Sequence, residues 1–199
     1  MAISLSGRVA VVTGATGGVA GTLAAAGATV VVCEGAAKAA GPAKSAGPGM
    51  VAGPAKAGPT KAADLALTLD LADPMALNVL ATAVQERYGR IDLLVTAATA
   101  VTEAPFASVT ARAEHALVGE NFTRVTALIR RLLPLMGGGS SVVVLVPEEA
   151  RHALDAAMKA AVESLCAALA VELAPRGVSV DAVTEPAAYQ LWCSGMPSV

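Results

Sequence analysis

Several side chains capable of proton chemistry lie close together late in the chain. His152 and Asp155 are three residues apart, and Lys159 follows Asp155 by four. On a helix this spacing places the three side chains on one face. Beside Glu148 they would form an acid–base cluster. The alternative is a solvated helix N-terminus, where Glu148, Glu149 and Asp155 favour the macrodipole and Asp155 pairs with Lys159 at i, i+4. Both interpretations stay open on the sequence.

A second group of residues suits the binding of phosphates. The sequence VAVVTGATGGVAG, which starts at Val9, is an apolar run followed by a glycine cluster and the start of a helix. Such a turn presents backbone amides and a helix N-terminus to a pyrophosphate. Gly14 would allow the tight turn and Gly18 a close backbone approach, whereas the third glycine position is Ala20. The alternative is an ordinary strand–helix turn whose glycines serve packing.

These residues must be held by the elements around them. Short valine-rich runs alternate with longer helical patterns, and continuous apolar runs are typical of parallel strands covered on both faces. The alternation predicts an α/β fold: a three-layer α/β/α Rossmann domain over residues 1–199, with a doubly wound parallel sheet of about six strands in the order 3-2-1-4-5-6. The predicted strands are Val9–Val12, Val30–Cys33, Leu65–Leu69, Leu93–Val95, Val142–Val146 and Val178–Val183, and the predicted helices are Val19–Ala26, Pro74–Tyr88, Ala113–Leu135 and Ala153–Leu173.

One segment departs from this alternation. Residues 36–61 are rich in Ala, Gly, Pro and Lys, and AGPAK occurs at Ala40 and Ala52 with the variant AGPTK at Ala57. This density of proline and glycine predicts a flexible, mostly extended surface loop. A proline-rich motif that binds a partner is the alternative.

The composition excludes several classes of function. A net charge of −2 gives no electrostatic basis for binding nucleic acid or an anionic membrane. The cysteines, Cys33, Cys166 and Cys193, are scattered and odd in number, which favours a reducing cytoplasm. No cysteine or histidine spacing predicts a metal site. The N-terminal residues do not resemble a signal peptide, and no apolar stretch reaches the roughly 18 residues of a membrane span.

The opening SGRVAVVTGATGGVA resembles the start of a short-chain dehydrogenase/reductase. The family pattern is T-G-x-x-x-G-[IL]-G; Thr13, Gly14, Gly18 and Val19 fit it, and Ala20 departs from it. Further resemblances follow in family order and cover most of the chain. They are LDLAD at 69–73, GRIDLLV at 89–95, NFTRVTALIRRLLPLM from residue 121 and KAAVESLCAALAVELAPRGVSVDAV from residue 159.

The resemblance implies roles for individual residues. It implies a dinucleotide site at Gly14, Thr16, Gly18, Val19, Glu34, Asp70, Leu71, Thr96, Ala97 and Lys159, with Asp70 near the adenine. It implies an active site at Asn121, Lys159 and the position of Asp155. An acid such as Glu34 at the end of the second strand accepts hydrogen bonds from ribose hydroxyls, so NAD is expected over NADP. The long helices 113–135 and 153–173 are expected to pair in a homodimer.

The departures from the family bear on catalysis. The family's Y-x-x-x-K begins here with Asp155, although Lys159 is retained, and Pro147 stands where the family's serine follows the fifth strand. Ser140 and Ser141 precede the predicted strand, at its other end. A carboxyl loses its proton about six pKa units below a phenol, so an aspartate is a poor replacement for the tyrosine as a proton donor. The N-N-A-G pattern reads Thr96-Ala97-Ala98-Thr99, and P-G reads Glu185-Pro186.

Two differences in length accompany these substitutions. The first helix is about one turn short against the family, and the chain ends at Val199, soon after the predicted sixth strand, where relatives continue into a substrate lid. The expected function is therefore that of a dinucleotide-binding protein, an NAD(P)-dependent oxidoreductase by ancestry, which is inactive by the usual mechanism. The alternatives are an oxidoreductase with a rebuilt site, or a non-redox lyase or isomerase using Asp155, His152 or Lys159.

Overall fold

The computed structural model describes residues 4–14, 18–35, 63–102 and 104–184. The loop predicted at 36–61 lies outside the described residues. So do Thr16, Cys193 and the Glu185-Pro186 pair.

The described residues form one six-stranded parallel sheet in the order β3-β2-β1-β4-β5-β6. This confirms the predicted fold class and strand order. The strands are β1 Val9–Thr13, β2 Thr29–Gly35, β3 Leu65–Leu69, β4 Ile91–Ala97, β5 Met136–Val146 and β6 Val178–Thr184.

Among the described residues, five α-helices flank the sheet. They are α1 Val19–Ala25, α2 Pro74–Tyr88, α3 Ala111–Val118, α4 Arg124–Leu132 and α5 Ala153–Leu173. Short 3₁₀ turns lie at Phe106–Ser108, Leu133–Leu135 and Ala174–Arg176. In the described part of the chain, no helix has the length and apolar character needed to cross a bilayer.

Local sequence signals account for the ends of α2. Asp73 is the N-cap and its carboxylate accepts a hydrogen bond from the Met75 N–H, while Pro74 occupies the first turn, where its missing N–H costs nothing. Gly89 follows the helix in the left-handed conformation, with φ +73°. These signals explain why the predicted bounds of α2 agree with the structure.

The helix predicted at 113–135 is not continuous. A π-helical turn at Gly119–Thr123 separates α3 from α4, and the Leu133–Leu135 turn is 3₁₀. A π-turn adds a residue to the helical repeat and so changes which side chains face inward. Here it buries Asn121, whose side chain is polar. The prediction of one helix was wrong because a hydrophobic pattern does not show such an insertion.

The core has two parts, one on each face of the sheet. Alternate residues of β1 illustrate this, since Val11 packs with the cluster beneath α2, α4 and α5 whereas Val12 packs with the cluster beneath α1. Parallel strands buried on both faces require continuous apolar runs. The apolar side chains on one face of the strands therefore form the surface on which α4 and α5 pack.

Strand β5 begins six residues earlier than predicted. It includes Gly137–Gly139, where Gly139 has φ +82° and donates its N–H to the Gly177 carbonyl at 2.7 Å. Ser140 and Ser141 therefore lie inside the strand, which corrects their predicted position before it. The Ser140 hydroxyl donates to the Ile91 carbonyl of β4 at 2.9 Å. Both serines remain far from the carboxyl end of β5.

Candidate functional site

The candidate site lies at the carboxyl ends of the strands. In a doubly wound sheet, ligands bind in the crevice where the strand order reverses. In this sheet the crevice lies between β1 and β4, because β1 is followed by β2 on one side and β4 by β5 on the other. Gly14, the described residues that follow β4 and β5, and the first turns of α4 and α5 therefore lie near the crevice.

Gly14 makes the turn after β1. Its φ is +90°, and a Cβ added there would lie 3.2 Å from the Cβ of Ala97 on β4. Both the backbone conformation and the close contact require glycine. Gly18 is the N-cap of α1, whereas Val19 and Ala20 are buried. The Ala20 methyl packs in the core beneath α1, so it contributes to the packing of helix against sheet.

Thr13 adds a polar atom to this turn. Its side chain is buried, and its hydroxyl has no hydrogen-bond partner among the described residues. Thr96 is its register partner on β4 and is also buried. A buried hydroxyl without a partner is costly. The Thr13 hydroxyl is therefore buried and unpaired among the described residues, close to the β1–β4 edge.

The residues predicted to face the adenosine lie at the neighbouring edge of the sheet. Glu34 is exposed near the end of β2 and is paired in register with Thr68 of β3. Asp70 follows β3, is exposed, and accepts the Ala72 N–H at 3.0 Å. Leu71 is buried. Glu34 and Asp70 thus lie near the carboxyl ends of two neighbouring strands, and their contact with an adenosine stays a prediction.

Asn121 is used to hold the segment that follows β4. Its amide Nδ2 donates to the Ala100 carbonyl at 2.7 Å, and its Oδ1 accepts the Ala100 N–H at 3.0 Å. The side chain is 2% exposed. Because the amide satisfies both backbone groups of one residue, it fixes the path of the chain beside the crevice.

Asp155 holds the same segment two residues further on. Its Oδ1 accepts the Thr102 N–H at 2.8 Å and the Thr102 hydroxyl at 3.0 Å. The residue is 3% exposed. The predicted ion pair with Lys159 is wrong, and so is the placement of Asp155 at a solvated helix end. The physical reason is that Thr102 brings two donors to the buried carboxylate, which stabilise it more than a solvated pair would.

Lys159 takes different partners. Its Nζ donates to the Glu148 carbonyl at 3.1 Å and lies 3.9 Å from the Glu163 carboxylate, one turn later on α5. The lysine therefore links α5 to the segment that follows β5. Lys159 does not form a salt bridge with Asp155.

A cavity of about 330 Å³ opens beside the first turn of α5. It is lined by Val101, Glu149, Arg151, His152 and Asp155. Arg151 and Glu149 form an exposed ion pair of 2.6 Å. His152 and Asp155, which their spacing grouped, both line this cavity. Glu148 and Lys159, the other two residues of the predicted cluster, are not among the described lining residues. They contact each other through the Lys159 Nζ and the Glu148 carbonyl.

Neither described cysteine is suited to nucleophilic chemistry. Burial raises the pKa of the Cys33 thiol to about 12 and the pKa of the Cys166 thiol to about 11. Both are free and remain protonated at neutral pH, whereas the thiolate is the nucleophile. Within the described residues, no group of three or more histidine, cysteine, aspartate or glutamate side chains is placed to hold a metal ion.

Two residues of the site escaped the sequence patterns. Thr102 is 53 residues from the carboxylate it binds, and no motif marks it. Arg124 donates from Nη2 to the Ala97 carbonyl at 3.2 Å and pairs with Glu120 at 2.6 Å. The i, i+4 spacing of Glu120 and Arg124 was the one available signal, and such pairs are common on helix surfaces.

Comparison with known proteins identifies the family. A family model described as enoyl-(acyl carrier protein) reductase matches residues 9–196. D-threitol dehydrogenase from Mycolicibacterium smegmatis is 31% identical over 189 residues, which cover 90% of this chain and 70% of that protein. The chain belongs to the short-chain dehydrogenase/reductase family.

Solved structures agree with this assignment. A short-chain dehydrogenase/reductase from Brucella melitensis, described as a glucose/ribitol dehydrogenase, is 26% identical with a TM-score of 0.73, over 92% of this chain and 77% of that one. A short-chain dehydrogenase from Burkholderia cenocepacia in complex with NADP is 25% identical with a TM-score of 0.71, over 90% and 74% of the two chains.

Proposed function

We propose that this protein binds a nicotinamide dinucleotide but does not transfer hydride by the tyrosine-dependent route of its family. The observation that carries the proposal is the state of Asp155. It stands where the family's tyrosine is expected, it is buried, and its Oδ1 accepts hydrogen bonds from two donors of Thr102. A carboxyl loses its proton about six pKa units below a phenol, so an aspartate held in this way is a poor replacement for the tyrosine as a proton donor.

A second substitution acts in the same direction. Pro147 follows β5 at the position of the family's serine and has no hydroxyl or N–H to offer. Ser140 and Ser141 bond within the sheet, to Ile91 and Ser179 respectively. The developing charge on a substrate oxygen would therefore lack its usual donor.

The dinucleotide is supported by the turn after β1 and by relatives. Gly14 has the conformation and close strand contact that such a turn requires, and a relative from Burkholderia cenocepacia is in complex with NADP. Lys159 would hold the nicotinamide ribose. Titration with NADH, followed by nicotinamide fluorescence, tests binding: saturable binding supports the proposal, and no binding at millimolar NADH contradicts it.

We expect NADH to bind more tightly than NADPH. The exposed carboxylate of Glu34 would accept ribose hydroxyls and repel a 2′-phosphate. Glu34→Gln should bring the two dissociation constants closer together, mainly by improving NADPH binding. Glu86→Gln, which alters an exposed residue of α2, is the matched control. Tighter binding of NADPH than NADH by the wild type would contradict the role of Glu34.

We also propose a homodimer formed through α5. Its outer face carries small exposed residues, including Ala160 and Ala167, and Val171 is 77% exposed. Light scattering at tens of micromolar should give twice the chain mass of 19.6 kDa. Ala160→Arg should shift the protein toward the monomer, whereas Ala83→Arg on α2 should not. A monomeric wild type at this concentration would count against the proposal.

An enzyme with a rebuilt site is the second candidate. The cavity beside α5 favours it, because His152 and Asp155 both line that cavity. A volume of about 330 Å³ lies at the lower end of small-molecule pockets. D-threitol, the substrate named for the relative from Mycolicibacterium smegmatis, is a small polyol and a suitable first compound. Turnover abolished by His152→Ala would support this candidate.

A further inference from the structure

Arg124 places a guanidinium group at the carboxyl end of β4. Its Nη2 donates to the Ala97 carbonyl at 3.2 Å, and its side chain is 20% exposed. The neighbouring Ala98 N–H donates to Leu145 of β5. Successive residues of a strand direct their backbone groups to opposite sides, so the Ala97 carbonyl points toward β1. The guanidinium therefore lies at the gap between β1 and β4.

This gap is the crevice where the strand order reverses. Gly14 forms the β1 side of the gap and contacts Ala97, since a Cβ on Gly14 would lie 3.2 Å from the Ala97 Cβ. Arg124 and Gly14 thus both lie beside Ala97. A ligand that contacts Gly14 would lie near the Arg124 guanidinium, whose charge is paired with Glu120 at 2.6 Å.

The guanidinium has hydrogen-bonding capacity to spare. Arginine carries five N–H donors in a planar fork. The described contacts use one donor for Ala97 and one for Glu120, at 3.2 and 2.6 Å. The Glu120 side chain is 50% exposed, so water screens its pair with Arg124. The other N–H groups are available to a second anion.

We propose that Arg124 binds a phosphoryl oxyanion of the ligand held in the β1–β4 crevice. The planar fork suits two oxygens of one phosphate. The Ala97 carbonyl and Glu120 orient the guanidinium before the ligand arrives. The assignment of this oxyanion to the dinucleotide pyrophosphate rests on the dinucleotide binding proposed above; a free phosphate-bearing ligand is the other source.

Calorimetry with three probes separates these sources. NADH and ADP-ribose carry the dinucleotide pyrophosphate, and inorganic pyrophosphate carries the anion alone. Arg124→Gln is expected to weaken the probes that the wild type binds by about 10- to 100-fold, the effect of losing charge-assisted hydrogen bonds. Arg124→Lys should be intermediate, because it keeps the charge without the fork. Arg131→Gln, an exposed arginine of α4, should bind as the wild type does. Thermal unfolding checks that each variant is folded.

Each outcome decides the proposal. Loss of NADH and ADP-ribose binding in Arg124→Gln, with Arg131→Gln unaffected, supports it with the dinucleotide as the source. Arginine-dependent binding of pyrophosphate by a wild type that does not bind NADH supports the oxyanion site and contradicts the dinucleotide proposal. NADH binding that Arg124→Gln leaves unchanged or tightens overturns the role of Arg124 alone. A wild type that binds none of the three probes overturns both proposals.

Discussion

Replacing Asp155 with alanine is expected to lower the free energy of unfolding by about 3 kcal/mol. The change removes the acceptor of two hydrogen bonds and leaves the Thr102 N–H and hydroxyl without their partner. Hydrogen bonds to charged groups contribute about 1.5–3 kcal/mol each, and an unsatisfied buried donor adds a desolvation cost. Urea denaturation followed by circular dichroism measures the change in midpoint at constant slope.

Matched variants separate the contribution of the hydrogen bonds to the unfolding free energy from the effect of removing side-chain volume. Asp155→Asn keeps an oxygen acceptor at the same place. Its loss of unfolding free energy should therefore be less than half of the loss in Asp155→Ala. Thr102→Val removes the hydroxyl but not the N–H, so about 1 kcal/mol is expected. Glu163→Ala alters an exposed carboxylate of the same helix and should stay within about 0.5 kcal/mol. An Asp155→Ala protein as stable as the wild type would show that the contact with Thr102 does not hold the segment after β4.

The second expected result is the absence of alcohol or ketone turnover by the family's route. General acid catalysis contributes about 10²–10⁴-fold and an oxyanion donor about 10²–10³-fold. Together these factors amount to about 5–10 kcal/mol of transition-state stabilisation. Under the proposed function Asp155 and Pro147 supply neither, because a carboxyl loses its proton about six pKa units below a phenol and proline carries no hydrogen-bond donor. Bound cofactor alone does not restore this loss.

The hydrogen bonds between Asp155 and Thr102 also affect the stability of variants designed to restore the family's reaction. Asp155→Tyr supplies a phenol but removes the carboxylate that satisfies both Thr102 donors. The variant with Asp155→Tyr and Pro147→Ser is therefore expected to be less stable than the wild type even if it gains activity. Its unfolding free energy should be measured alongside its rate, so that a silent variant is not confused with an unfolded one.

Much of the fold follows from local and periodic features. Valine runs covered on both faces define the strands, and Asp73, Pro74 and Gly89 define the ends of α2. The start of β5 was missed because Gly137–Gly139 carries no side chains to show a strand pattern. The π-turn around Asn121 was missed because the apolar pattern of residues 113–135 is also that of one continuous helix and does not reveal an inserted residue.

The candidate site was predictable only in part. The family pattern predicted site residues at Gly14 and Asp155, and spacing alone grouped Asp155 with His152. The i, i+4 spacing also predicted a pair between Asp155 and Lys159. This pair does not form, because a residue distant in sequence binds the Asp155 carboxylate instead. That partner, Thr102, is distant in sequence and becomes a neighbour only when the segment after β4 crosses the start of α5.

Steady-state assays with the wild-type protein test the central proposal most directly. A panel of secondary alcohols, small polyols including D-threitol, and ketones should be assayed with NAD(H) and NADP(H), alongside Lys159→Ala and the Asp155→Tyr, Pro147→Ser double variant. We predict NADH binding with no measurable turnover by the wild type, and any gain of turnover only in the double variant. Clear turnover by the wild type that Lys159→Ala abolishes would contradict the proposal, because it would show a rebuilt site that acts through the retained lysine.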